Sequence, residues 1–138
     1  MDYKLAAYSH LVRFLKSGSG KNMILVGDFN IAHKEVDLAR PRQNYENTMF
    51  TKEERTKIDN LLELGLIDSF RLFFQGNGYY SWYPYSFKAR ERNLGWRIDY
   101  AFVSEHLKPN TKNSIILKDV TGSDHCPILL EVDLYYPC

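Results

Sequence analysis

Three groups of side chains in this sequence are of the types that handle phosphates and metal ions. An acid and an amide, Asp28 and Asn30, follow the apolar run Met23-Ile24-Leu25-Val26 and the turn residue Gly27. A second acid, Asp99, stands inside the apolar run Arg97 to Val103. A third acid and an imidazole, Asp124 and His125, follow Gly122-Ser123 just ahead of another apolar segment. Phosphodiester hydrolysis needs a water aimed in line with the leaving oxygen and a base for its proton. It also needs positive charge for the phosphoryl oxygens and something to neutralise the departing alkoxide. Carboxylates and a neutral carboxamide suit a hard, oxygen-liking cation such as magnesium, with manganese as the alternative. A His held by an acid can carry positive charge to a phosphate or manage a proton. Asp99 is the natural partner for His125, because a buried acid needs one. Each group also has a plain reading. Asp28 and Asn30 can bond their own backbone in a turn, Asp124 can cap a turn, His125 can be a satisfied core histidine, and Asp99 can pair with Arg97 or a nearby hydroxyl.

The elements that must hold these groups follow from periodicity and punctuation. Four apolar residues ending at Gly27 read as a short strand buried on both faces, with Asp28 and Asn30 at the sheet edge where strand ends form a crevice. Asp2 can cap a helix over Tyr3 to Lys16, which ends in Ser17-Gly18-Ser19-Gly20. From Ile31 to Phe50 the apolar pattern weakens, so the stretch reads as a long surface loop. Thr51-Lys52-Glu53-Glu54 is a capping box. The helix it opens turns Ile58, Leu61 and Leu62 inward, and Gly65 closes it in the left-handed conformation. Leu66 to Phe70 leads into a short helical or irregular piece ending near Gly78. Tyr79 to Tyr83 reads as a strand that Pro84 limits. A basic loop, Lys88 to Asn93, precedes the strand Arg97 to Val103. Glu105 to Lys108 is a turn or single coil, Ser114 to Leu117 a third strand, and Pro127 to Leu134 the last. The order suggests one layered α/β unit with the first helix over one sheet face.

Composition narrows the function classes. At 138 residues, 44% hydrophobic and 25% charged, the chain is ordinary for one soluble domain with a real core. A net charge of +1 does not mark a general nucleic-acid binder, so any basic surface must be local, as at Lys88-Ala89-Arg90-Glu91-Arg92. There is no apolar run for a membrane span, and the start is not that of a signal peptide. The cysteines, Cys126 and Cys138, do not form a disulfide framework or a metal knuckle, which fits a reducing, cytoplasmic setting.

In this order, Gly27-Asp28-Phe29-Asn30, Trp96-Arg97-Ile98-Asp99-Tyr100 and Gly122-Ser123-Asp124-His125-Cys126-Pro127 resemble the C-terminal half of an exonuclease III-type apurinic/apyrimidinic endonuclease. That family is a branch of the endonuclease/exonuclease/phosphatase group, whose fold is similar to that of pancreatic DNase. The resemblance covers nearly the whole chain, including Asp37 to Pro41, Phe50 to Arg55 and Gly65 to Phe70. The run Arg92-Asn93 to Tyr100 narrows it to the repair-nuclease branch. The resemblance implies an α/β fold: one layered half, a mostly antiparallel or mixed sheet plus helices, of the two-sheet DNase I-like sandwich, with residues 1–138 as the C-terminal half and the N-terminal half absent.

The resemblance also implies roles. Asp28 would activate or orient the attacking water, and Asn30 would hold that water and a phosphate oxygen. Asp99 would bond His125, His125 would contact the scissile phosphate, and Asp124 would be a metal ligand. Trp82, Trp96 and Ile98 would line the pocket for a flipped-out abasic sugar, with core packing as the plain reading of the tryptophans. Arg90 and Asn93 would touch the DNA backbone. The implied reaction is metal-dependent cleavage 5′ to abasic sites in duplex DNA, with 3′-5′ exonuclease or 3′-phosphodiesterase activity, in the cytoplasm, nucleoid or nucleus. The family's principal metal-binding Glu, a further Asn and a catalytic Tyr lie in the other half, so low activity and weak magnesium affinity are expected here. The sheet face that meets that half would need it, or a second copy, as a partner. The alternative function is a catalytically incomplete DNA- or protein-binding module that self-associates through that face. A phosphatase or lipid phosphodiesterase of the wider group is a third; the basic loop and the tryptophans argue against it.

Overall fold

The computed structural model describes residues 2–18 and 21–134, so half of the Ser-Gly connector and Cys138 lie outside the described residues. Helix α1, Asp2–Lys16, takes Asp2 into its first turn, where the carboxylate faces the positive end of the helix dipole. Helix α2, Lys52–Leu62, starts as expected. The Thr51 hydroxyl accepts from the Glu54 amide, and the Glu54 carboxylate returns to the Thr51 N–H. Gly65, at φ +86°, turns the chain out of it. Strands β1 (Ile24–Asp28), β2 (Leu66–Asp68) and β3 (Asp99–Ser104) form a three-stranded antiparallel sheet in the order β1-β3-β2. Strands β4 (Thr111–Ile116) and β5 (Ile128–Val132) form a separate antiparallel pair.

The main core lies between the three-stranded sheet and the helices. Tyr8 and Leu15 of α1 and Ile58 and Leu61 of α2 meet Leu66, Tyr100 and Phe102. Phe29 is the keystone between core and site. Its ring meets Tyr100 and Phe102 edge-on, at 5.6 and 5.1 Å between centroids. Its amide donates to the Ile98 carbonyl at 2.8 Å, and its carbonyl accepts from the Tyr8 hydroxyl. Because Phe29 is buried, its neighbours Asp28 and Asn30 are left at the surface.

Several expectations are corrected. β1 is an edge strand and is not covered on both faces: Ile24 is 44% and Val26 59% exposed. The strand covered on both sides is the central β3, from Tyr100 to Ser104. Tyr79 to Tyr83 forms no strand, only single bridges from Trp82 to Trp96 and to His125. The weakly patterned stretch 31–50 is not merely surface, since Ile31, Ala32, Leu38 and Phe50 are all at most 1% exposed. The sheet is antiparallel here, so the site lies where β1 ends and β3 begins, not at aligned carboxyl ends of parallel strands.

Arg97 is also not paired with Asp99. Its guanidinium is 1% exposed and bonds Asp37 at 2.8 Å and Asp68 at 2.6 Å, stacked 4.6 Å over Tyr100. Asp37 also takes Arg71. Burial alone would raise the Asp37 carboxyl, but Arg97 and Arg71 hold it below the usual range. This network locks the 31–50 loop to the start of β3.

Candidate active site

The register of the sheet sets Asp28 directly opposite Asp99. Two carboxylates facing each other across a strand pair repel, and the arrangement is stable only with positive charge or protons shared between them. The His125 ring stands between them. Its Nδ1 lies 2.9 Å from Asp99 Oδ2, and its Nε2 lies 3.9 Å from Asp28 Oδ2. Ser81, fully buried, donates from its hydroxyl to Asp99 Oδ2 at 2.7 Å and accepts from the Ile98 and Asp99 amides at 3.0 Å. Burial pushes the Asp99 carboxyl up. The Ser81 hydroxyl and the His125 ring pull it down, and the Asp28 charge adds to the rise.

Asn30 sits in the left-handed region at φ +51°. Its backbone N–H donates to Asp28 Oδ1 at 2.8 Å and its Nδ2 to Asp28 Oδ2 at 3.0 Å. The plain turn reading holds, and the turn is what aims the Asp28 carboxylate. Lys4 fixes the turn from α1: its ammonium bonds the Asn30 carbonyl and Glu54 Oε1, each at 2.6 Å. Glu54 is fully buried, and burial alone would raise it. The Lys4 ammonium, the Met49 amide and the Thr51 hydroxyl hold its carboxyl below the usual range.

Asp124 and His125 reach the site on the loop before β5. The Asp124 carboxylate accepts from Trp82 Nε1 at 3.0 Å, which lowers its pKa. Asp28, Asp99 and His125 present ligand atoms within 4.8 Å of one another, close enough to hold one metal ion among the described residues. Asp124 is not part of that group. The oxygen character of the two aspartates suits a hard cation, but Asp99 Oδ2 is already shared by Ser81 and His125. The set would therefore offer such a cation only part of a shell.

Of the expected site residues, Asp28, Asn30, Asp99 and His125 converge, while Asp124, next to His125 in the chain, and Trp82 are bonded to each other. Trp82 and Trp96 are half-buried against the small core of Ala32, Leu38, Phe50 and Ile98. Ile98, at 1% exposure, belongs to that core and presents almost no surface. Asn93 accepts from the Tyr83 hydroxyl at 2.7 Å and donates to the Gly78 carbonyl at 3.1 Å. Arg90 bonds the carbonyls of Val120 and Ser123 and the sulfur of Cys126, all at 2.9 Å. Ser81 and Lys4 were not legible as site residues. A serine before Trp82 and a lysine in a helix carry no local signal, and only the fold brings them in.

Residues 4–125 match the Endonuclease/Exonuclease/phosphatase family. The chain is 43% identical to the exodeoxyribonuclease of Bacillus subtilis over 97% of its own length and 54% of that protein's. It is 45% identical to the DNA-(apurinic or apyrimidinic site) endonuclease of Dictyostelium discoideum over 86% of its own length and 34% of that protein's. Among solved structures, it is similar to a 3'-5' exonuclease of Neisseria meningitidis, with a TM-score of 0.89 and 31% identity, over 96% of this chain and 54% of the other. The chain thus spans about half the length, or less, of the relatives it matches. Among the described residues, no helix is long and apolar enough to cross a membrane.

Proposed function

The chain belongs to the endonuclease/exonuclease/phosphatase family, and from that membership we propose that it carries the phosphate-handling half of a DNA repair nuclease. The proposed reaction is hydrolysis of the phosphodiester 5′ to an abasic site in duplex DNA, with 3′-5′ exonuclease or 3′-phosphodiesterase action on duplex ends. The observation that carries this reading is the opposed pair Asp28 and Asp99 with the His125 ring between them. Asp99 and Ser81 fix the ring so that Nε2 faces Asp28 across 3.9 Å. From that position an imidazolium would neutralise a phosphoryl oxygen bound beside the ring. Asp28, aimed by both nitrogens of Asn30, would orient the attacking water and take its proton. Asp124 would be a ligand, direct or through water, of a magnesium ion, or of manganese in its place, with further ligands from the rest of the domain. When bound, such an ion neutralises charge on the phosphate and on the leaving oxygen. Trp82 and Trp96 offer the half-buried aromatic wall on which a base-free sugar can rest.

Residues 1–138 would act as the C-terminal half of the nuclease domain. A nicking assay on abasic duplex with magnesium tests the reading. The isolated chain is expected to cut very slowly. Joined to the rest of a relative's domain, it is expected to cut in an EDTA-sensitive way that Asp28→Asn abolishes. Cutting that survives Asp28→Asn would refute it. A second reading, a non-catalytic module that pairs through β1, draws on the exposed Ile24 and Val26 of that edge strand. Concentration-dependent dimerisation lost on Val26→Lys, with no cutting in any context, would favour it.

A further inference from the structure

Asp124 and His125 are delivered by the loop between β4 and β5. Its feet are joined by the Leu117 amide donating to the Pro127 carbonyl at 2.8 Å. Its returning limb is stitched to residues 81–83 by Tyr83 N–H to the Asp124 carbonyl, 2.9 Å, and Cys126 N–H to the Ser81 carbonyl, 2.7 Å. The tip from Lys118 to Ser123 is exposed throughout. Among the described residues, the side chain outside the loop that bonds carbonyls of this tip is Arg90, through Val120 and Ser123. The same guanidinium meets the sulfur of the buried Cys126 and lies 5.7 Å from the Tyr83 ring centroid. Arg90 is set there by its neighbour. Ala89 is 3% exposed and packs with Tyr80, Tyr83 and Cys126, which pins the 86–94 turn beneath the loop.

Ser123 transmits the hold. Its hydroxyl accepts from the His125 amide at 3.1 Å and donates to Asp124 Oδ1 at 3.3 Å. We propose that Arg90 is a positioning residue: it clamps the backbone that carries Asp124 and His125, and acts on the phosphate through them rather than by contacting a DNA phosphate itself. The fork shape of guanidinium is the reason for Arg. It can direct separate N–H groups at two carbonyls and a sulfur, whereas a lysine ammonium is a point charge on a flexible stem. The functional meaning of the clamp rests on the nuclease reading above; its existence does not.

The test uses the 138-residue chain with Arg90→Lys, which keeps the charge and loses the fork, and with Arg90→Ala. Amide hydrogen exchange at residues 120–126 is expected to speed up about tenfold or more in both variants. The Nδ1–H proton resonance of His125, a signature of its bond to Asp99, is expected to shift or broaden, while exchange in β3 stays unchanged. Binding to a duplex with a tetrahydrofuran abasic site is measured across salt concentrations. A clamp leaves the slope of log K against log salt unchanged, whereas a phosphate contact removes about 0.9 from it in Arg90→Ala. The proposal is overturned by a wild-type His125 resonance with unaltered loop exchange in both variants, or by loss of the slope with the loop unmoved. A chain that binds no duplex counts against the nuclease reading, and the loop measurements still decide the clamp.

Discussion

Replacing Lys4 with Met tests whether the helix layer holds the Asp28–Asn30 turn. Lys4 bonds Glu54 Oε1 and the Asn30 carbonyl, each at 2.6 Å, and Glu54 is fully buried. Breaking a buried ion pair by removing one partner costs about 3–5 kcal/mol. The Lys4 side chain is 26% exposed, and Glu54 keeps its bonds from the Thr51 amide and hydroxyl, so the expected loss is lower, about 2 kcal/mol. With a urea slope of about 2 kcal/mol/M for a domain of this size, the midpoint at pH 7 should fall by about 1 M. The pH dependence is the sharper part. Glu54 has a depressed pKa in the folded chain. Its pairing therefore stabilises fully above the unfolded value of about 4.3, and that stability is lost as pH falls through the folded value. Wild type and Lys4→Met should differ most at neutral pH and converge as the pH is taken below about 4. An equal difference at pH 7 and at the acid end, or less than about 0.5 kcal/mol at pH 7, would refute the reasoning.

Other outcomes follow from the same geometry. Asp37→Asn leaves Arg97 with Asp68 alone and should cost about 3 kcal/mol, read by urea denaturation. Gly95→Ala would set a Cβ 2.6 to 2.7 Å from the Tyr83 ring, the Trp82 carbonyl and Tyr80. About 1–3 kcal/mol of overpacking should appear as a lowered urea midpoint, with shifted amide resonances at Trp82 and Trp96. Trp82→Phe removes the indole donor that lowers the Asp124 pKa. The Asp124 carboxyl should then titrate at higher pH, as carbon-detected NMR would record.

Part of this was legible in the residues and part was not. Helix α2 was, because Thr51, Glu54 and Gly65 state its start and stop in local chemistry. So was the meeting of Asp99 with His125, because an acid inside an apolar strand must find a partner, and the structure gives it one at 2.9 Å. The coverage of β1 was not. An apolar run says that a surface is buried somewhere, and the described residues leave Ile24 and Val26 of this edge strand exposed. The segment at Trp82 misled through its aromatic composition: its ring faces suit a strand, but its backbone makes only single bridges, to residue 96 on one side and 125 on the other. Ile98 misled in the opposite way, since a motif position offered as pocket wall is spent on the core. The Asp37-Arg97-Asp68 network and the Arg90 contacts link residues about 30 to 60 positions apart, with no periodicity to announce them.

The most direct measurement is magnesium-dependent incision of an abasic duplex by a chimera. Residues 1–138 would replace the matching segment of the Bacillus subtilis exodeoxyribonuclease, to which they are 43% identical. The account predicts incision in the chimera, with turnover lowered about 100- to 10,000-fold by Asp99→Asn and by His125→Ala. Incision at full rate with either Asp99→Asn or His125→Ala in place would contradict it.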